Sequence, residues 1–317
     1  MDYVLNLALS VLGFALLIKG ADLFVDGSSS MAKLMKIPAV IIGLTIVSIG
    51  TSLPEAAVSI TASLQGNYDL SIANVVGSNI FNLLGVVGAS AIICPFAIDT
   101  MIMKRDFPIC IGITAILAFM LRDNTLSVIE AVILFVLFVL YIILLVRSAL
   151  KNHENTNEDY KILSPRKSIF FIILGVAGII LGGQLTVNGA TFFASALGMS
   201  ELLIGLTVVA VGTSLPELVT SIVAAKKGES EIALGNVIGS NIFNILFILG
   251  VSGIVHPLSC DGGALTDTIL SIVFSVLMYF VCAFSKKVTR KVGYASICVY
   301  IIYVVYIILR AYNMLPF

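Results

Sequence analysis

GLTIVSIGTSLPEAAVSITASLQGNYDLSIANVVGSNIFNLLGVVG, residues 43–88, returns at residues 205–250 as GLTVVAVGTSLPELVTSIVAAKKGESEIALGNVIGSNIFNILFILG, an offset of 162 with no gap. Roughly half of the positions are identical, far more than shared apolar composition produces, so the chain is an internal duplication. The register continues upstream, where Gly20, Asp22, Asp26 and Gly27 pair with Gly182, Gln184, Asn188 and Gly189. Downstream it reaches Cys94-Pro95 against His256-Pro257.

The composition says where such a duplication lives. The chain has 317 residues, 59% hydrophobic and 11% charged, with a mean hydropathy of +1.10, whereas soluble domains carry about 25% charged residues. An ordinary soluble enzyme is excluded. Lys plus Arg and Asp plus Glu each total 18, so there is no basic excess to hold a nucleic-acid backbone. Cys94, Cys110, Cys260, Cys282 and Cys298 are scattered without metal-binding or disulfide spacing and read as small hydrophobes in helices.

Hydropathy predicts spans near residues 4–32, 38–65, 69–95, 107–121, 126–148, 168–197, 200–226, 231–256, 266–285 and 291–314. The first apolar run lacks a basic leader and is too long for a cleaved signal peptide, so it reads as a span. The polar stretch Lys151–Lys161 divides the chain into a first repeat (1–148), a linker (149–167) and a second repeat (168–317). Five spans per repeat make the second copy enter the membrane from the opposite side. The expected fold is an all-α polytopic membrane protein of about ten transmembrane helices, arranged as two inverted five-helix repeats. Of the 18 basic residues, 15 fall in odd-numbered connections, among them Lys33, Lys104, Lys226 and Lys286. Basic loops stay in the cytoplasm, which predicts a cytoplasmic linker and both termini outside.

Each second span of a repeat carries G-T-S-L-P-E, Gly50–Glu55 and Gly212–Glu217. Pro54 and Pro216 cannot donate to the carbonyls of Gly50 and Gly212, so the helix is expected to break there. Freed carbonyls at membrane depth are tolerated where they face protein, water or a cation. Glu55 and Glu217 lie midway along spans that contain no Lys or Arg to neutralise them. Helical spacing sets Ser48, Thr51 and Ser52 beside Glu55, and Thr213 and Ser214 beside Glu217, with Ala210 matching Ser48. In the motif N-V-[VI]-G-S-N-I-F-N, Ser78 shares a face with Asn82, and Ser240 with Asn244. Asn74, Asn79, Asn236 and Asn241 add polarity, and Gly77 and Gly239 would permit close helix approach.

These are hard oxygen ligands, suited to Ca²⁺, Na⁺ or Mg²⁺. The bland readings are a protonated glutamate held for packing, hydroxyls bonded back to their own helix, and amides as interhelical glue. Elsewhere, Lys19 and Asp22 are spaced to pair locally, Glu130 reads as interfacial, and His153 and His256 read as solvated or structural.

The paired GTSLPE and NVxGSNIFN segments resemble the two alpha-repeats of the cation/calcium exchanger superfamily, most closely prokaryotic calcium/sodium antiporters. The resemblance covers essentially the whole chain. It implies that Glu55 and Glu217 are the principal Ca²⁺ ligands, joined by backbone oxygens of Thr51 and Thr213. It also implies Na⁺ sites drawing on Ser52, Ser78, Ala210, Ser214 and Ser240. Family members often carry a carboxylate at one of the positions matching Asn82 and Asn244, whereas here both are Asn.

The expectation is therefore an alternating-access antiporter exchanging Ca²⁺ for Na⁺ in a prokaryotic inner membrane, with the first and sixth spans as the sliding pair. The ions are substrates, and no resident cofactor, enzymatic activity or obligate protein partner is implied. A Ca²⁺/H⁺ antiporter is the alternative. An intramembrane hydrolase lacks G-x-S-x-G and G-x-G-D motifs, and a passive channel would normally need a pore built from several subunits or rings.

Overall fold

The computed structural model describes residues 2–151, 162–199, 208, 210–260, 262–312 and 314. The first repeat contains α1 (Asp2–Met35), α2 (Ala39–Thr51), α3 (Leu53–Leu64), α4 (Tyr68–Ile93), α5 (Phe107–Met120) and α6 (Val128–Lys151). The second contains α7 (Pro165–Ala196), α8 (Ala210–Thr213), α9 (Leu215–Lys226), α10 (Ser230–Val255), α11 (Gly262–Ser285) and α12 (Arg290–Ala311). Among the described residues seven helices are long and apolar enough to cross a bilayer, and the pair α2 and α3, bent by 50°, can be counted as an eighth. Two further spans are expected. The fourth is α5 preceded by a π turn at Ile102–Asp106, and the seventh is largely outside the described residues before Ala210. His153 also lies outside them.

Backbone landmarks recur at the repeat offset. Every residue with positive φ among those described has its counterpart 162 positions away: Lys36 with Gly198, Gly66 with Gly228, and Asn124 with Lys286. Four of these six close helix C-termini by the same pair of bonds; after α3, for example, Gly66 donates to Ser63 O and Asn67 to Ala62 O. Two short antiparallel ladders tie the repeats together. β1 (Phe96–Ala97) pairs with β4 (Lys287–Val288), and β2 (Thr125–Leu126) with β3 (Leu258–Ser259). The register Phe96↔Val288 maps onto Leu258↔Leu126 when the repeats are exchanged. Each ladder joins connections that the basic-residue pattern assigns to one side of the membrane.

The inner layer is α4 and α10, which are largely covered by protein, while α1, α6, α7, α11 and α12 present long apolar faces outward, as a lipid-facing layer must. α1 and α7 pack antiparallel on glycines repeating every seven residues: Gly13, Gly20 and Gly27 on one helix, Gly175, Gly182 and Gly189 on the other. A Cβ at Gly182 would stand 2.5 Å from the backbone nitrogen of Leu17 and 2.6 Å from Gly13 O. Backbone meets backbone here, so only glycine fits. At the start of α6, Ser127 and Glu130 form a reciprocal cap, with Ser127 N donating to Glu130 Oε2 at 2.9 Å and Glu130 N to Ser127 Oγ at 3.3 Å. That accounts for Glu130 as a helix cap. Lys19 pairs with Asp22 at 2.6 Å as the spacing predicts, and His256 stacks on Tyr68 with ring centroids 4.7 Å apart.

Candidate cation site between the repeats

The proline break falls where the sequence puts it. α2 ends at Thr51, and Ser52, at φ −85° and ψ 8°, leaves the helical path before α3 begins at Leu53, with Pro54 in its first turn. Ser214 repeats this at φ −93° and ψ 9° ahead of Pro216. Glu55 and Glu217 therefore stand in the first turns of α3 and α9, where unpaired N–H groups give the helix end a partial positive charge. Both glutamates are fully buried.

Neither serine caps its own helix through its side chain. Ser52 Oγ donates instead to Glu217 Oε1 at 2.8 Å, and Ser214 Oγ donates to Glu55 Oε1 at 2.8 Å. Each carboxylate is thus held by the other repeat. Behind them, Asn74 Nδ2 reaches Ser59 Oγ at 2.9 Å and Glu55 O at 3.4 Å, and Asn236 Nδ2 reaches Ser221 Oγ at 3.0 Å and Glu217 O at 3.4 Å. Thr51 Oγ1 lies 2.9 Å from Asn236 Oδ1. The amides at 74 and 236 therefore brace the turns that carry Glu55 and Glu217 from behind. The sequence leaves these two amides open between ligation and interhelical contact, and Ser59 and Ser221, four residues beyond each glutamate, are the signal for a polar stripe on those helices.

Several polar atoms of these residues have no protein partner. Among the described residues ten buried side-chain oxygens have no hydrogen-bond partner, and five of them are Glu55 Oε2, Glu217 Oε2, Asn82 Oδ1, Asn244 Oδ1 and Ser78 Oγ. Buried unbonded oxygens are costly unless something neutralises them, and four of these five form two repeat-equivalent pairs. Asn82 lies in the π turn Phe81–Val86 of α4, and Asn244 opens the π turn Asn244–Leu249 of α10. Such turns add a residue to the helix and are frequent at functional sites.

Other expected ligands are placed differently. Ser48 Oγ donates to Thr45 O at 3.2 Å and Ser240 Oγ to Ser48 O at 3.4 Å, so both hydroxyls have backbone acceptors. Thr213 is buried at the end of α8, while Ala210 is placed by its backbone alone and its side chain lies outside the described residues. Gly239 makes the expected close approach, with a Cβ there 2.7 Å from Ser48 Oγ, whereas Gly77 meets nothing within 4 Å among the described residues. No group of three or more His, Cys, Asp or Glu side chains positioned to hold a metal occurs among the described residues. The donor set is two carboxylates with amides and hydroxyls, all hard oxygen.

A cavity of about 460 Å³ runs beside this centre, lined by Leu53, Pro54, Gly183, Gln184, Asn188 and Pro216. At the repeat-equivalent place on α1, ion pairs stand beside a second cavity of about 440 Å³ lined by Asp26, Ser29, Lys33, Lys227 and Glu229. Lys227 bonds Asp22 and Asp26 at 2.6 Å each, and Glu229 accepts from Ser29 and Lys33. The counterparts of Asp22, Asp26, Lys227 and Glu229 are the neutral Gln184, Asn188, Gln65 and Asn67.

A duplicated, inverted all-α fold around a buried two-carboxylate centre defines a polytopic ion transporter. The chain belongs to the sodium/calcium exchanger protein family, whose model matches residues 5–147 and 167–309. It is 37% identical over 290 residues to the inner membrane protein YrbG of Escherichia coli, covering 88% of this chain and 89% of that protein. It is 35% identical over 347 residues to the sodium/calcium exchanger MaX1 of Methanosarcina acetivorans, covering 95% and 97%. A solved structure of the sodium-calcium exchanger NCX_Mj superposes with a TM-score of 0.83 at 35% identity, covering 96% of this chain and 99% of that one.

Proposed function

We propose that this protein exchanges Ca²⁺ for Na⁺ across the membrane by alternating access, both ions competing for the oxygens of Glu55 and Glu217. The observation that carries the reading is the pair of fully buried glutamates, each with one oxygen bonded across the repeats and the other without a protein partner. Two ionised carboxylates supply a charge of −2, which neutralises one Ca²⁺ or two Na⁺. Asn82 and Asn244 add neutral amide oxygens, and Ser52 and Ser214 hold the carboxylates by donating to their other oxygens. The liganding roles of Thr51, Thr213, Ser78, Ser48, Ala210 and Ser240 belong to this same proposal; Ser48 and Ser240 donate their hydroxyl protons to backbone carbonyls and keep oxygen lone pairs free.

With the termini outside and the linker cytoplasmic, the cavity along α7 opens outward and the Lys227 ion pairs lie toward the cytoplasmic side. The protein then sits in an inner membrane as two five-span units, 1–148 and 168–317, that work without a resident cofactor. α1 and α7, joined backbone to backbone, are the pair that slides to exchange the open side.

The test is Ca²⁺ uptake into proteoliposomes loaded with Na⁺, with a pH gradient and with no gradient. Uptake that requires the Na⁺ gradient is expected. Uptake driven equally by protons alone would overturn Na⁺ coupling and make the protein a Ca²⁺/H⁺ antiporter.

A further inference from the structure

We propose that Asn79 and Asn241 are positioning residues that fix which end of the Asn82 and Asn244 amides faces the transported cation. The inference rests on the assignment of Asn82 and Asn244 as ligands made above. Asn79 and Asn241 are repeat equivalents on α4 and α10, each 3% exposed. Asn79 Nδ2 donates to the backbone carbonyl of Asn241 at 3.1 Å, and Asn241 Nδ2 donates to that of Asn79 at 3.1 Å. A backbone carbonyl only accepts, so the NH₂ end of each side chain is committed.

The rest follows by exclusion. With Nδ2 committed, the Oδ1 end of Asn79 can only accept, and Asn244 Nδ2 donates to it at 3.0 Å. Asn241 Oδ1 in turn accepts from Asn82 Nδ2 at 3.2 Å. Turning either outer amide over would set oxygen against oxygen. Asn82 Oδ1 and Asn244 Oδ1 are therefore left on the opposite side, and those are the two amide oxygens that have no protein partner. A neutral amide is an ambiguous ligand, since its oxygen attracts a cation and its NH₂ repels it. Here the ambiguity is removed by four bonds that trace back to two backbone carbonyls, and the network closes only when α4 and α10 are docked. A carboxylate at either ligand position would need no such orientation, because its two oxygens are alike.

That difference supplies the experiment. Ca²⁺ binding is measured by calorimetry, and Ca²⁺ KM and kcat by proteoliposome uptake, for the full chain and for Asn79→Ala, Asn244→Asp, Asn79→Ala/Asn244→Asp and Glu55→Gln. Asn79→Ala is expected to weaken Ca²⁺ binding about 10- to 100-fold, as loss of a ligand-orienting partner does, with KM rising and kcat at saturating Ca²⁺ nearly kept. In the Asn244→Asp background the same substitution is expected to leave affinity unchanged or raise it, because the carboxylate needs no orienting and its inner oxygen otherwise faces Asn79 Oδ1. Equal losses in both backgrounds, or no loss with Asn79→Ala alone, would overturn the proposal. If Asn79→Ala does not fold, Asn241→Ala is read with and without Asn82→Asp. If neither alanine variant folds even with its Asp partner, the four bonds serve stability and the proposal also fails. Ca²⁺ binding that is absent in the unmodified chain, or unchanged by Glu55→Gln, would refute the cation site itself and is separately visible.

Discussion

Ser52 occupies the turn that starts α3, yet its hydroxyl donates to Glu217 of the other repeat at 2.8 Å. A serine there would ordinarily cap its own helix. The crossed bond, matched by Ser214 to Glu55, makes each carboxylate's orientation depend on the opposite repeat.

Removing either hydroxyl should therefore weaken the site from the far side. A hydrogen bond to a charged group is worth about 1.5–3 kcal/mol, so Ser52→Ala and Ser214→Ala should each raise the Ca²⁺ KM about 10-fold or more. The two effects should be similar in size, because the two bonds have the same length. Initial rates of Ca²⁺ uptake against Ca²⁺ concentration measure this.

Glu55→Gln and Glu217→Gln should abolish Ca²⁺ binding without loss of the fold. The amide oxygen keeps an acceptor for Ser214 or Ser52, and burying a neutral amide costs less than burying an uncompensated charge. A thermal melt of the Ca²⁺-free protein should show a Tm equal to or above that of the unmodified chain, while calorimetry shows no heat of Ca²⁺ binding.

The seam between α1 and α7 should resist even one methyl group. At Gly182 a new Cβ meets the backbone at 2.5 Å from Leu17 N, and overpacking of this kind costs about 1–3 kcal/mol or more. Gly182→Ala should lower Tm and transport together. Gly112→Ala, where nothing lies within 4 Å of the added atom among the described residues, should leave both unchanged. Parallel melts and uptake rates decide it.

Lys227→Gln recreates in the second repeat what Gln65 is in the first. It deletes the ion pairs to Asp22 and Asp26, and partly exposed pairs are each worth about 0–1 kcal/mol. Global stability should hardly change. The inner end of α1 should exchange its amide hydrogens faster in the segment carrying Asp22, Asp26, Ser29 and Lys33, because its ties to the α9–α10 turn are reduced to those with Glu229. Hydrogen exchange resolved by peptide checks this, and unchanged protection there would show that the ion pairs do not hold α1.

Much of the architecture was legible in the residues. A gapless repeat with an odd number of spans per copy requires opposite insertion, and the recurrence of Lys36/Gly198, Gly66/Gly228 and Asn124/Lys286 in left-handed turns shows the register carried into backbone geometry. The helix breaks were legible because proline lacks the N–H that Gly50 and Gly212 would accept. The glycine seam was only partly seen. Gly182 and Gly183 stood out as a pair, whereas the seven-residue spacing shared by both helices gains its meaning once they are laid antiparallel.

By itself, then, the sequence determined the duplication, its inversion, the broken helices and the two glutamates, since each follows from local chain chemistry and from periods of a few residues. The tertiary structure alone decided which hydroxyl holds which carboxylate, that Asn79 and Asn241 bond each other's backbone and the amides of Asn244 and Asn82, and that Ser240 donates to Ser48 O. Those partners lie in the other repeat, more than 150 positions away, or are chosen by how the repeats dock. Helical periodicity tells which face a side chain occupies, and only the packing of one repeat on the other tells what that face meets.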